Sequence, residues 1–175
     1  VGVRAVSEVS EATRHVMQAN RSKNTRPELM VREALRAAGL GGYRLHWRKA
    51  AGSPDICYPG RRLAIFVNGC FWHRCPHCGP SRPRTNVEFW EAKFARNRAR
   101  DASNQGRLVR EGWTVAVVWE CRLREELRPR AMEELVALVR SCETARQFGR
   151  FVEIGSMRPW RLRVTHERLS RARRR

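Results

Sequence analysis

Three cysteines fall within nine residues, Cys70, Cys75 and Cys78, inside an irregular segment (68–86) that separates two apolar runs, 63–67 and 114–119. Cys75-Pro-His-Cys78 is a knuckle in which a tight turn lets two thiolates face one ion. Cys121 lies just past the second run. If the two runs are neighbouring strands, their ends bring Cys121 beside Cys70 and complete a set of four thiolates. A closed tetrahedral set leaves no open position and is structural rather than catalytic, which points to zinc. His77 remains an alternative to Cys78, because the knuckle can turn either way. Six cysteines could also form three disulfides or stay as core thiols, but a reducing compartment favours the metal. Cys57, in a strand, and Cys142, on a helix, read as inert packing residues.

Hydrophobic spacing divides the rest of the chain. Residues 7–19 show helical spacing, and a basic loop, Arg21-Ser-Lys23-Asn-Thr25, follows. Thr25-Arg-Pro-Glu28 is a helix start with proline in the first turn, and the helix stops before Gly39. Short strands are expected over 43–47, 54–58 and 63–67, the last two joined as a hairpin through Pro59-Gly60. A long basic helix over 87–110 places Phe89, Trp90, Lys93, Phe94 and Asn97 at helical spacings. A buried strand over 114–119 and a final helix over 130–142 complete the pattern. The expected division is an N-terminal helical arm (1–20), a main folded domain (21–142) and a basic C-terminal extension (143–175).

Charge limits the partners. Among 175 residues, 36 are basic and 17 acidic, a formal net charge of +19, and only three of the basic residues are lysine. Such an excess demands a polyanion, with nucleic acid before anionic membrane. No apolar run is long enough to span a bilayer, and no secretory pattern is seen at the start. A soluble intracellular protein without a membrane partner is therefore expected.

Two further features carry chemistry. Gly52-Ser-Pro-Asp55 leads a strand and follows a helix bearing Glu28, an arrangement seen in nuclease cores where carboxylates hold Mg²⁺ beside the scissile phosphate. The Glu-x-Lys usual on the next strand is missing, and Asp55 taken alone also fits a turn or cap. Phe71 and Trp72 sit in a polar loop, and Trp90 lies on the basic helix. Exposed aromatics among cations suit insertion between base pairs; the same residues could instead form a cluster packed on the zinc loop.

Taken together, Arg21-Ser-Lys-Asn-Thr, Pro27-Glu-Leu, Tyr43-Arg-Leu-His, Gly52-Ser-Pro-Asp, Phe66-Val-Asn-Gly-Cys-Phe-Trp-His, Glu88-Phe-Trp and Val118-Trp-Glu-Cys, in order over about residues 10–125, closely resemble the very-short-patch-repair (Vsr) mismatch endonucleases. The resemblance implies an α/β fold with a type II restriction-endonuclease-like core, a central mixed β-sheet flanked by helices, and a structural zinc loop. It implies a Mg²⁺-dependent nick in double-stranded DNA beside the thymine of a T·G mismatch, which arises when 5-methylcytosine deaminates. It makes Asp55 the Mg²⁺ carboxylate and the backbone carbonyl of Val67 a second ligand. His73 matches the histidine that activates water, and Glu28 the acid that orients that water or histidine. Phe71, Trp72 and Trp90 match intercalating aromatics, with Arg21, Lys23 and Lys93 as further DNA contacts. Asn68 stands where members often have histidine and receives no catalytic role.

The resemblance also makes 21–142 the endonuclease domain and implies a bacterial, cytoplasmic, nucleoid-associated monomer, with repair proteins as further partners. Two alternatives remain at this level: a restriction-like nuclease of the same core with another DNA substrate, and a zinc DNA-binding module without catalysis. The segment 157–175 has eight arginines and one glutamate, a net +7, which leaves +12 on the rest. Removing the chain after Ser156 is expected to flatten the slope of log affinity against log salt by roughly three, if three or four arginines meet phosphate. Mismatch preference should not change, since phosphate contacts read no bases. A lower melting temperature with an unaltered slope would show that Phe148, Phe151, Ile154 and Trp160 anchor a packed segment instead.

Overall fold

The computed structural model describes residues 23–142 and 149–155; the expected helix over 7–19, Arg21 and the segment 157–175 lie outside them. Helix α1 spans Arg26–Ala37. Thr25 caps it: the Glu28 N–H donates to the Thr25 hydroxyl, and the Glu28 side chain accepts from the Thr25 N–H. This reciprocal box satisfies two otherwise orphan donors. It also fixes Glu28, which is only 3% exposed.

Five strands form one sheet in chain order: β1 (Arg44–Leu45), β2 (Ile56–Tyr58), β3 (Leu63–Asn68), β4 (Thr114–Trp119) and β5 (Arg150–Ile154). The β1–β2 and β2–β3 pairs are antiparallel, and the β3–β4 and β4–β5 pairs are parallel. Between β3 and β4 the chain crosses over through α2 (Val87–Arg110), and α3 (Arg128–Ser141) leads toward β5. Parallel neighbours require such a long connection. Alternation along the strands sorts two cores. Ile56, Leu63, Ile65, Ala116, Val118 and Ile154 pack with Val31 and Leu35 of α1 and Leu135 and Val139 of α3. Ala64, Val115, Val117 and Trp119 pack on the other face with Leu108 of α2, and there they meet Cys70, Cys75 and Cys121. The mixed sheet flanked by helices is thus as expected. No helix among the described residues is long and apolar enough to cross a membrane.

Three local expectations change. The first strand covers only Arg44–Leu45, because His46 turns into the left-handed region at φ 45° and ends the extended run. The second begins at Ile56 rather than residue 54, since the Val67 N–H of β3 is taken by the Asp55 side chain instead of a backbone carbonyl. The sequence did not suggest β5, whose residues lie in the segment expected to be a basic extension. Its pattern is weak: Phe151 is 49% exposed, while Ile154 is buried.

β5 begins beside the end of α2. There a Cβ on Gly149 would overlap the backbone carbonyl of Val109, whereas one on Gly60 would meet nothing within 4 Å. Gly149→Ala is expected to destabilise the protein by roughly 1–3 kcal/mol, the usual cost of forced overpacking. Gly60→Ala serves as the control and should leave thermal unfolding nearly unchanged. Equal melting temperatures for the two variants would contradict this docking of β5.

Candidate active site and metal centre

The parallel β3–β4 pair ends with Asn68 opposite Trp119. The chain leaves both strands at the same sheet edge, so Cys70 and Cys121 become neighbours. The Cys121 N–H donates to the Cys70 Sγ at 3.3 Å, and the Cys70 N–H donates to a Glu120 carboxylate oxygen at 3.1 Å. The knuckle folds back onto this pair, and the sulfurs of Cys70, Cys75, Cys78 and Cys121 all lie within 4.8 Å of one another. Cys75 Sγ and Cys121 Sγ are 3.7 Å apart. Metal–sulfur bonds of about 2.3 Å in a tetrahedron give an edge of about 3.8 Å. The four sulfurs therefore fit one ion, and none is in a disulfide. Burial raises the Cys70 thiol and pushes Cys121 up to about 11. A shared cation would relieve that cost by stabilising the thiolates. The His77 ring turns elsewhere: its Nε2 lies 3.5 Å from Glu153 of β5, and its ring packs against Trp119.

One face of α2 holds the loop that joins these thiols. Trp90, Phe94, Asn97 and Asp101 follow helical spacing along that face. Asn97 donates to the Trp72 carbonyl at 3.0 Å, and Asp101 pairs with His73 Nδ1. Phe71 meets the rings of Trp72, Trp90 and Phe94 edge-on, with centroids 5.1, 5.4 and 5.2 Å away. Lys93 Nζ lies over the rings of Trp72, Phe89 and Trp90. Trp90 is only 7% exposed, so the expectation of an exposed aromatic fails there. It packs beneath Phe71 and Trp72, which are half-buried.

The opposite wall carries the acids. Because β2 runs antiparallel to β3, the start of β2 lies beside the end of β3. The Val67 N–H donates to Asp55 Oδ2 at 2.7 Å. A strand residue's N–H and C=O face the same side, so the Val67 carbonyl also faces Asp55, beyond the last β2–β3 pair. Burial is the main reason that the Asp55 carboxyl is raised to about 6; nearby Glu28 adds to the rise, and the Val67 N–H opposes it. Such a carboxylate gains from a cation beside it.

Glu28 reaches this site from α1. Arg32, 5% exposed, donates to Glu28 Oε2 at 2.9 Å and to Asn24 Oδ1 at 2.7 Å. His46 lies between them, with Nε2 3.3 Å from Arg32 and Nδ1 3.7 Å from Asp55 Oδ1. Burial, aided by the Arg32 and Lys23 charges and opposed by Glu28, holds His46 below its ordinary pKa. Glu28, His46 and Asp55, but not Arg32, line a cleft of about 810 Å³ that also holds Lys23, Asn68, Trp72, His73, Lys93 and Asp101.

The structure thus brings Asp55, Val67, His73, Glu28, Trp72, Lys23 and Lys93 to one cleft, whereas Arg21 lies outside the described residues. Sequence reasoning missed Asp101, Arg32 and His46. Asp101 stood four residues past Asn97 on a face already singled out. Arg32 stood four past Glu28, the spacing of a helical ion pair. His46 was quoted in a motif but given no task, because nothing local shows that the strand ends there.

Comparison with known proteins identifies the family. The family model for DNA mismatch endonuclease Vsr matches residues 8–78. The type II nicking enzyme V.XorIIP of Xanthomonas oryzae pv. oryzae is 47% identical over 113 residues, covering 65% of this chain and 82% of the relative. The DNA mismatch endonuclease Vsr of Escherichia coli K12 is 37% identical over 121 residues, covering 67% and 76%. The type II nicking enzyme V.NmeAIP of Neisseria meningitidis is 36% identical over 130 residues, covering 74% and 91%. The chain is accordingly a DNA endonuclease, which removes the reading as a binding module without catalysis. The chain belongs to the Vsr family of DNA mismatch endonucleases.

The raised Asp55 pKa has a consequence for stability. Between the ordinary value of 3.8 and about 6, the native state holds more protons than the unfolded chain. Stability contributed by this group is full at low pH and is lost as pH rises through about 6. Asp55→Asn keeps an oxygen for the Val67 N–H and removes the charge. Without added divalent cation, it is expected to stabilise the protein at about pH 7.5 by up to roughly 2–3 kcal/mol, a gain that narrows toward about pH 4. Mg²⁺ should raise the melting temperature of the parent but not of the variant. A variant no more stable than the parent at neutral pH would contradict the buried, ionised Asp55.

Proposed function

We propose that this chain nicks double-stranded DNA beside the thymine of T·G mismatches, with Mg²⁺ in the cleft and zinc in the four-cysteine set. The observation that carries the chemical reading is the placement of His73 and Asp55 in one cleft, each fixed by a different partner. Asp55 and the Val67 carbonyl offer the hard oxygen donors that Mg²⁺ prefers. When bound there, Mg²⁺ supplies positive charge to the phosphate undergoing hydrolysis.

The protein's own groups then have distinct tasks. Asp101 binds His73 through Nδ1 and leaves Nε2 for the cleft. In the neutral ring, that nitrogen accepts a proton from water, and the Asp101 carboxylate stabilises the imidazolium so formed. This pairing replaces the lysine missing from β3. Glu28, paired with Arg32 at 2.9 Å, orients water at the Asp55 side. Trp72 and Phe71 rest on Trp90 and Phe94, so their rings are supported when they press into a base stack. A mismatched step costs less to open than a matched one, which favours T·G. Lys23 and Lys93 sit at the cleft and meet backbone phosphate.

Asp55→Ala should abolish nicking and leave DNA affinity within a few-fold, since one carboxylate contributes little against a net +19. Asp101→Asn should lower the rate of the nicking step by on the order of 10²-fold or more, without weakening DNA binding, because the amide can hold the wrong tautomer of His73. Single-turnover nicking and equilibrium binding on the same duplex separate rate from affinity. Wild-type rates for either variant would remove that residue from the mechanism.

A further inference from the structure

We propose that His46 is a nitrogen ligand of the divalent cation held by Asp55, with Glu28 bonded to its far ring nitrogen; this inference rests on the proposed cation site. Three observations carry it. Ligand atoms of Glu28, His46 and Asp55 all lie within 4.8 Å of one another. The ring stands between the two acids, with Nδ1 3.7 Å from Asp55 Oδ1 and Nε2 3.5 Å from Glu28 Oε2. The backbone of His46 is held at φ 45°, and its N–H donates to the Asp55 carbonyl at 3.3 Å. A non-glycine residue rarely adopts that conformation, and here it stops β1 and turns the ring into the cleft.

The two ring nitrogens define two states. Without the cation, Arg32 donates to Nε2, so the ring proton sits on Nδ1 facing Asp55. With the cation bound, Nδ1 would be the ligand atom and the ring proton would sit on Nε2, from which it would be donated in a hydrogen bond to Glu28 Oε2. A carboxylate that holds the far nitrogen of a metal-bound histidine is the usual orienting partner. Glu28 Oε1 is taken by the Thr25 hydroxyl and backbone, while Oε2 accepts from the Asn24 N–H and Arg32 and stands 3.5 Å from His46 Nε2, so it is the oxygen that would take the ring N–H. The cost is the approach of Arg32 to the Nε2 proton, while Arg32 keeps its bonds to Asn24 and Glu28. An oxygen-only site suits Mg²⁺, whereas an added imidazole shifts preference toward Mn²⁺.

The test uses the full-length, zinc-loaded protein and Mn²⁺. Pulsed electron paramagnetic resonance of the bound ion should show a directly coordinated imidazole nitrogen, with the coupling altered in protein made with isotope-labelled histidine. His46→Gln retains an amide near the Nε2 position but offers nothing at Nδ1. It should lose the coupling and weaken Mn²⁺ binding on the order of tenfold, with a smaller change for Mg²⁺; His73→Gln should keep the coupling. Binding that depends on Asp55 but shows no nitrogen coupling, or a coupling that survives in His46→Gln, would overturn the inference and leave the cation site standing. Mn²⁺ binding unchanged in Asp55→Asn would overturn the cation site and the inference with it. The labelled wild-type spectrum needs no variant to fold.

Discussion

Both candidate metal sites depend on the backbone ladder along β3, whose parallel pairing with β4 places two chain exits at one end of the sheet. Cys70 and Cys121 meet because Asn68 pairs opposite Trp119. Asp55 meets Val67 because β2 returns antiparallel along the other side of β3. A one-residue slip would reverse the faces of an entire strand and separate both sets. Almost unbroken apolar sequence in β3 and β4, buried on both faces, secures the register. Core packing and site geometry are therefore consequences of the same backbone ladder.

The short chain between β3 and α2 links the two sites. His73 lies three residues after Cys70 and two before Cys75, so its backbone is held on both sides by the thiol cluster. Its ring is then fixed by Asp101. A structural metal at the cysteines would thus position the histidine without touching substrate. The acids on the facing wall show the opposite strategy. Asp55 is kept ionised at a cost from burial, while Glu28 is compensated by a buried arginine. An uncompensated carboxylate next to a compensated one suits a site that waits for a cation.

Much of this was readable from residue types and spacing. The Cys75-Pro-His-Cys78 knuckle, with Cys70 and Cys121 after two apolar runs, pointed to the thiol cluster because metal geometry is local and strand pairing is strongly patterned. Both ends of α2 were clear from its spacing and from Gly112. Other features depended on contacts distant in sequence. β5 pairs with β4 despite a weak pattern, since the ladder supplies what its side chains do not. Trp90 reads as exposed amid charged neighbours, yet it is covered by a loop from elsewhere in the chain. Asp101 and Arg32 are ordinary charged helix residues until the fold places His73 and Glu28 against them. His46 gained its position from a backbone reversal that no residue type announces, since histidine is not a turn former of the glycine kind.

The central claim is that the shared cleft cuts one strand at a mispair. The direct measurement is a single-turnover cleavage assay with Mg²⁺ on duplexes that differ only in T·G against T·A or C·G, each strand labelled separately. One cut beside the mispaired thymine, with the partner strand intact and the matched duplexes cut far more slowly, is the predicted result. Equal cleavage of matched and mismatched duplexes, or breakage of both strands, would contradict it.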